Sequence, residues 1–283
     1  MLLFAAALLF STGGAAIKST SLSSWQVAGF RSGIAAAALY LALPGARPSQ
    51  NLRWTRRIWM IASAYAAALI LFVASTKLTT AANAIFLQST APLYLLLLGP
   101  LVLREKIRRI DIAVIVAVAS GAVVLLLGSQ AAAATAPDPA RGNLLGLAAG
   151  LAWALTLTGF RWAGRQSGNG DPAAATVIAG NLLAFLACLP MALPVEHAGR
   201  IDVAAVIYLG VFQIGLAYVC LTRSLREVHA LEAATLLLIE PVFNPIWTWI
   251  VHGERPGPAA IIGGFIIVMA AFAGTAWRLQ QRL

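Results

Sequence analysis

The stretch Asn83–Lys106, NAIFLQSTAPLYLLLLGPLVLREK, occurs a second time at Glu232–Arg255, EAATLLLIEPVFNPIWTWIVHGER. The two copies align without a gap, and Pro92 of the first falls on Pro241 of the second. Each copy is an apolar run interrupted by proline that ends in a glutamate followed by Lys or Arg. One copy alone indicates only a membrane-length helix that proline interrupts in its middle. The repetition predicts an architecture of two related halves, as found in transporters.

The composition places the chain in a membrane. Of its 283 residues, 60% are hydrophobic and 11% are charged, and the mean hydropathy is +0.83. A soluble domain this apolar would have too little polar surface to stay in water, and runs of about 20 apolar residues can cross a hydrocarbon core of about 30 Å. We therefore expect the lipid bilayer to surround the chain. Met1 begins directly in an apolar run, which we interpret as the first span and not as a signal peptide.

Ten spans are predicted, each an apolar run bounded by Gly, Pro or charged residues. They cover residues 2–19, 24–43, 57–76, 82–103, 109–128, 142–163, 173–193, 202–222, 230–251 and 258–278. The loop 129–141 is long and unpatterned, and it separates a first five-helix repeat, 1–128, from a second, 142–283. The predicted fold class is an all-α integral membrane protein of ten transmembrane helices.

The positive charges predict the orientation of these spans. The loops on the side of the N-terminus, with the C-terminal tail, hold fourteen Lys and Arg, whereas the opposite loops hold only Lys77, Arg141, Arg200 and Arg255. This bias predicts that both termini are cytoplasmic. It also explains the net charge of +10 without a nucleic-acid partner.

The odd number of spans in each half predicts that the second half is inverted relative to the first. Glu105 then lies at the cytoplasmic face and Glu254 at the outer face. Inverted repeats place a binding site near the midplane where the halves meet, and they support transport by alternating access.

The sequence resembles the EamA family of the drug/metabolite transporter superfamily over nearly its whole length. The resemblance rests on APLYLLLLGPLVLREK and EPVFNPIWTWIVHGER, which are similar to that family's signature in each half. It also rests on GGAAIK and FRSG, which supply a first-span lysine, Lys18, and a second-span arginine, Arg31. The second signature departs from the family pattern by ending in HGE and by carrying Pro245 four residues after Pro241.

The resemblance implies a secondary active exporter of the bacterial inner membrane. Its substrates would be small amphipathic metabolites, with amino acids, including aromatic ones, as the first expectation. Export of other metabolites or of drugs is the alternative. A monomer and a homodimer both remain open.

Three prolines within spans are candidate hinges, namely Pro92, Pro241 and Pro245. Proline removes a backbone donor and clashes with the preceding turn, so it kinks a helix and frees a carbonyl. In lipid that carbonyl needs protein or cavity water as a partner. The alternatives are a gating hinge and a static packing kink.

The charged residues at membrane depth are candidates for binding or coupling. Glu240 could bind a substrate amine, take up a proton and couple transport to a proton gradient, or serve as a structural carboxyl. Lys18 ends the first span, where it either reaches the headgroups or binds a substrate carboxylate. For Arg31 an ion pair, a capped carbonyl and a substrate contact are all open. Glu232 is nearer its span end and is expected to reach the interface.

Polar and aromatic residues within spans suit a pocket for amphipathic solutes, because they combine a π face with a polar tip. The alternatives are interhelical hydrogen bonds and an interfacial belt. The set is Tyr65, Asn83, Gln88, Tyr94, Trp153, Asn181, Gln213, Tyr218, Asn244 and Trp247. Predicted substrate-binding residues are Gln88, Tyr94, Trp153, Glu240, Asn244, Tyr65 and Lys18.

Other functional classes fit the sequence less well. It has no GxxxxGK[ST] phosphate loop, and Cys188 and Cys220 lie in apolar runs without metal-ligand spacing, so we expect neither a cofactor nor a metal. A membrane-embedded enzyme would need clustered acids or histidines at one depth. A channel would need charged rings or a glycine-rich carbonyl filter, and neither is evident.

Overall fold

The computed structural model describes residues 1–48, 54–103, 109–128, 133–164, 171–224 and 237–280. Within these ranges the chain is helical and has no strand, apart from one isolated bridge between Ala133 and Ala136. The helices are α1 Leu2–Ser11, α2 Gly13–Lys18, α3 Ser24–Ala42, α4 Arg56–Leu78, α5 Ala81–Gln88, α6 Ala91–Leu98, α7 Arg109–Leu127, α8 Pro139–Gly164, α9 Pro172–Ala192, α10 Arg200–Tyr208, α11 Ala217–Ser224, α12 Ile239–His252 and α13 Pro258–Gln280. Two π-helical segments extend this set: Gly99–Leu103 continues α6, and Leu209–Leu216 joins α10 to α11.

Several of these helices are long and apolar enough to cross a membrane. In the described residues five meet both criteria, and they are Arg56–Leu78, Arg109–Leu127, Pro139–Ala163, Pro172–Ala192 and Arg200–Ser224. The segments Leu2–Lys18 and Pro258–Gly274 are apolar but shorter. The prediction of an all-helical protein with apolar helices is therefore confirmed. The number of ten crossings and the cytoplasmic position of both termini stay predictions.

The helix at the first copy of the repeated stretch is interrupted just before its proline. Ser89 and Thr90 separate α5 from α6, and Pro92 lies in the first turn of α6, where its missing N–H costs nothing. In the second copy Leu238, which aligns with Ser89, directly precedes α12 with nearly the same backbone angles. The two copies therefore share a break at an equivalent position.

The two prolines of the second copy lie at different positions along α12. Pro241 is in the first turn, so it begins a helix and does not kink one in mid-span. Pro245 lies inside α12 and is buried. Glu105, the acidic residue that ends the first copy, and Glu232 are outside the described residues.

The helices of the two predicted halves interleave. α4 packs most extensively against α8 and α9, α3 packs against α9, and α7 packs against α13. α8 also contacts α5 and α6, while α1 contacts α11 and α12. Most of the principal packing contacts therefore join a helix from residues 1–128 to a helix from residues 139–280.

Glycine allows the closest of these approaches, between α7 and α13. A Cβ atom on Gly121 would lie 2.7 Å from the carbonyl oxygen of Gly263 and 2.8 Å from Cγ1 of Ile267. Small residues at such crossings let backbones approach closely, which stabilises helix pairs in lipid. The pair α7–α13 is thus held at a spacing that only glycine permits.

We expect Gly121→Ala to lower the thermal stability of the purified protein. The added methyl group must push α13 away, and overpacking of this kind costs about 1–3 kcal/mol. The matched control is Gly45→Ala, because a Cβ atom there meets nothing within 4 Å. Thermal unfolding in detergent compares the two variants, and equal melting temperatures would contradict the packing argument.

Candidate functional site

Four aromatic rings from four helices meet inside the bundle. The ring centroids of Phe10 and Tyr218 are 5.2 Å apart, those of Tyr65 and Tyr218 are 6.0 Å apart, and those of Tyr65 and Trp153 are 6.2 Å apart. The two contacts of Tyr218 are edge-to-face, a favoured geometry for aromatic pairs. We call these four residues the aromatic cluster. It joins α1 and α4 to α8 and α11.

Polar groups at the aromatic cluster lack hydrogen-bond partners. The side chains of Tyr218 and Asn181 face the hydroxyl of Tyr65, which is buried yet makes no hydrogen bond of good geometry. Asn181 donates from Nδ2 to the carbonyl of Val177 at 2.9 Å, and its Oδ1 is also unpaired. Buried polar groups without partners are uncommon in proteins, and a ligand could satisfy these.

Two opposite charges lie near this cluster. Arg31 of α3 is 1% exposed, donates from Nη2 to the carbonyl of Leu69 at 3.2 Å, and interacts electrostatically with Tyr65. Glu240 lies in the first turn of α12 and interacts electrostatically with Tyr65 and Tyr218. A helix N-terminus favours a carboxylate, which helps to hold Glu240 at this depth.

A second set of polar side chains lies around the junction of α1 and α2. Asn244 is fully buried against Gly14, and both of its side-chain polar atoms are unpaired. Gln213 packs on Gly13 and donates weakly from Nε2 to the carbonyl of Phe10 at 3.4 Å. A Cβ atom at Gly14 would lie 2.3 Å from Oδ1 of Asn244, so glycine is needed there, whereas one at Gly13 would lie 3.0 Å from Nε2 of Gln213.

A buried ion pair closes one end of the bundle. Nζ of Lys18 lies 2.8 Å from Oε2 of Glu254, and the two side chains are only 5% and 4% exposed. Lys18 also donates to the carbonyls of Thr79, at 2.9 Å, and Thr135. Oε1 of Glu254 accepts a 2.7 Å hydrogen bond from the backbone amide of Ala81 at the start of α5. We call these five residues the latch.

The local sequence directs Glu254 inward. α12 ends at His252, and Gly253 has φ 66°, a left-handed conformation that glycine adopts at little cost. The chain thereby reverses after the helix, and Glu254 points into the bundle. His252 itself contacts the carbonyl of Ala15 through Nε2 at 2.9 Å, which ties the end of α12 to α2.

Further hydrogen bonds join residues 1–128 to residues 139–280 at the same end. Oδ1 of Asn143 accepts from Thr79 at 2.8 Å and from Asn83 at 3.2 Å. Asp202 accepts from the backbone amide of Ser21 at 2.6 Å and from its hydroxyl at 2.9 Å. Thr79 thus belongs both to the latch and to this set of hydrogen bonds between residues 1–128 and 139–280.

The structure brings some of the predicted site residues together and separates others. Tyr65 and Trp153 meet in the aromatic cluster, together with Tyr218. Glu240 and Arg31 interact electrostatically with Tyr65, and the side chain of Asn181 faces its hydroxyl. Lys18 is engaged in the latch, eight residues after Phe10 and on the next helix. This contact gives Lys18 a structural partner.

The remaining predicted residues lie elsewhere. Asn244 faces the α1–α2 junction, while Gln88 and Tyr94 are partly buried on either side of the break between α5 and α6. The carbonyl of Gln88 packs on Gly150 of α8. Sequence reasoning missed Phe10, because nothing in the apolar run of α1 distinguishes one phenylalanine that faces the interior.

Comparisons with known proteins agree with this fold. An uncharacterized transporter of Methanothermobacter thermautotrophicus (strain Delta H) is 24% identical over 203 residues, which cover 72% of this chain. The chain spans only 59% of that relative's length. A solved crystal structure superposes with a TM-score of 0.64 at 20% identity, covering 99% of this chain and 96% of the other. That likeness concerns the fold alone.

The profile of the EamA-like transporter family matches residues 1–127 and 140–274. These stretches contain the helices that carry the aromatic cluster, the α1–α2 junction and most of the latch. The apolar helices agree with a multi-pass membrane location. The chain belongs to the EamA-like transporter family.

Proposed function

We propose that this protein is a secondary active transporter that exports small amphipathic metabolites across a bacterial inner membrane, with amino acids, including aromatic ones, as the first substrates. The observation that carries the proposal is the aromatic cluster, where apolar rings and unpaired polar atoms lie together in the interior. Pockets for small ligands combine apolar walls with a few polar groups in this way. Export and amino acids follow the family resemblance.

Alternating access between two inverted five-helix halves is the proposed mechanism. Its support is that some of the packing contacts of one half recur between the corresponding helices of the other half. α1 contacts the eighth and ninth predicted spans, and α8 contacts the third and fourth. The family profile matches the two halves as two stretches.

The latch has the position of a gate in this mechanism. It joins Lys18 and Ala81 of the first half to Glu254 of the second, at the end that the charge distribution assigns to the outer face. A substrate can pass this end only if the ion pair separates. The breaks before Pro92 and Pro241 are the proposed points of bending.

Counterflow in proteoliposomes tests the proposal. We expect vesicles preloaded with unlabelled phenylalanine to accumulate labelled phenylalanine transiently, because exchange through one saturable site needs ligand on both sides. Glu240→Gln should slow the exchange by about tenfold, the usual cost of a lost hydrogen bond to a charged group. Glu196→Gln, at an exposed position, is the matched control.

A panel of other unlabelled amino acids extends this test. Accumulation with particular preloads would identify the substrate class. No accumulation with any amino acid would overturn the amino-acid proposal and move the substrate to other metabolites or drugs. Normal exchange in Glu240→Gln would remove Glu240 from the mechanism.

Loss of the latch should open the end of the bundle that it closes. We expect Lys18→Met to speed maleimide labelling of an Ala136→Cys reporter, which is 3% exposed beside the latch, by about tenfold or more. Removing one partner of a buried ion pair costs about 3–5 kcal/mol, because the other charge remains buried. Labelling of each cysteine in purified protein is followed by mass spectrometry.

Two controls separate opening from unfolding. Arg141→Met removes an exposed positive charge at the same end and should leave the labelling rate unchanged. Native Cys188 is fully buried and should stay unlabelled while the bundle is folded. Equal labelling of Ala136→Cys in Lys18→Met and in its parent would show that the ion pair does not gate this end.

A further inference from the structure

Arginine side chains and aromatic rings meet at the end of the bundle where α4 begins and α8 ends. The guanidinium carbon of Arg57 lies 4.6 Å from the ring centroid of Trp162, so the first turn of α4 is joined to the last turn of α8. A guanidinium group that stacks on a ring in this way keeps its N–H groups available to an anion. Arg57 and its neighbour Arg56 are both exposed.

The same surface extends from α4 to the end of α3. The rings of Trp54 and Trp59 pack edge-to-face with centroids 5.5 Å apart, and Trp54 donates from Nε1 to the carbonyl of Ala46 at 3.2 Å. The guanidinium carbon of the next residue, Arg47, lies 5.0 Å from the ring centroid of Tyr40. We define the arginine–aromatic surface as Arg47, Arg56 and Arg57 with the rings of Trp54, Trp59 and Trp162.

The positive charges of this surface have no acidic partner within the described residues. None of the three arginines forms an ion pair there, and Arg56 and Arg57 donate no hydrogen bond to that part of the chain. Arg47 donates only to two backbone carbonyls in the last turn of α3. Asp171, the first acidic residue after α8, accepts from the amide of Ala174 at 2.9 Å and caps α9. An anion from outside the chain would therefore find unused donors here.

The arginine–aromatic surface lies at the depth of lipid headgroups. α4 and α8 are both long and apolar enough to cross a membrane, so the beginning of one and the end of the other fall at its boundary. Tryptophan is enriched at that boundary because its ring is apolar and its N–H group is polar. Arginines beside these rings are thus within reach of lipid phosphates.

Membrane topology alone does not account for this choice of residues. The positive-inside rule counts lysine and arginine alike, yet thirteen of the fourteen cations on the side predicted to be cytoplasmic are arginine. Arg56 and Arg57 also oppose the dipole of α4, which favours anions at the start of a helix. Arginine differs from lysine in its planar fork, which binds a phosphate through two parallel hydrogen bonds. The composition therefore favours recognition of phosphate groups.

We propose that the arginine–aromatic surface is a binding site for anionic phospholipids of the surrounding bilayer. The guanidinium groups of Arg56 and Arg57 bind the lipid phosphate, and the tryptophan rings contact the glycerol and the upper acyl chains. Phosphatidylglycerol adds a net negative charge to this surface, whereas phosphatidylcholine carries its own cation and adds none. The inference is independent of the transported substrate, because the surface lies outside the aromatic cluster.

Lipid binding to the purified, full-length chain tests this proposal. Native mass spectrometry compares the retention of phosphatidylglycerol and phosphatidylcholine with equal acyl chains, offered at equal concentration. We expect phosphatidylglycerol to be retained about tenfold or more over phosphatidylcholine, since each arginine near an anionic lipid favours binding by about fivefold. The double variant Arg56→Gln/Arg57→Gln should lose most of this preference. Equal retention of the two lipids by the unaltered chain would overturn the proposal.

Matched substitutions separate this surface from general charge. Arg141→Gln and Arg200→Gln remove exposed cations that are predicted to lie on the opposite face, and they should keep the full preference. A loss equal to that of the α4 double variant would show that the lipid does not select this surface. The double variant Arg56→Lys/Arg57→Lys keeps both charges but not the forks, so it should retain only part of the preference. Full retention there would contradict recognition by guanidinium.

Inorganic phosphate distinguishes a lipid site from a site for free anions. At the concentration of the lipid it should leave phosphatidylglycerol bound, because the rings and acyl chains add contacts that a free anion lacks. Displacement at that concentration would overturn the lipid proposal in favour of an anion site. If either double variant does not fold, Arg56→Gln and Arg57→Gln are measured singly, and each should lower the preference by about fivefold.

Discussion

The buried ion pair between Lys18 and Glu254 is the contact on which one whole end of the bundle depends. A full charge removed from water must be matched in place, since an unpaired charge there would cost several kcal/mol. The pair fixes the end of α2 against the end of α12, and the Ala81 amide adds the start of α5. Three helix ends that are distant in sequence are therefore held next to one another.

The aromatic cluster and the latch are mechanically connected because one pair of helices carries part of each. Phe10 on α1 contacts Tyr218, and Lys18 ends α2 in the ion pair. Only Thr12 separates the two helices, and its hydroxyl is 2.9 Å from that of Tyr208. A ligand that displaces Phe10 would thus act on a segment that ends at the latch. This arrangement links occupancy of the interior to closure of the outer end in the proposed mechanism.

The helices were predictable from sequence because apolar runs must satisfy their backbone internally, and the break near Pro92 followed from the chemistry of proline. The latch was not predictable. Lys18 and Glu254 are far apart in sequence, and their pairing depends on the reversal at Gly253. The cluster was predictable in part: polar Tyr65 and Glu240 stood out in apolar spans, whereas Phe10 did not. A site residue could thus be recognised from the sequence only when it was polar within an apolar span.

The packing of early helices against late ones has a consequence for biogenesis. Lys18 is synthesised near the beginning of the chain and Glu254 near its end, so the lysine enters the membrane long before its counter-ion exists. α4 likewise cannot form its main packing contacts until α8 and α9 have been synthesised. Contacts of such long sequence separation form late and slowly. Lys18 therefore stays without its counter-ion until the last helices have been synthesised.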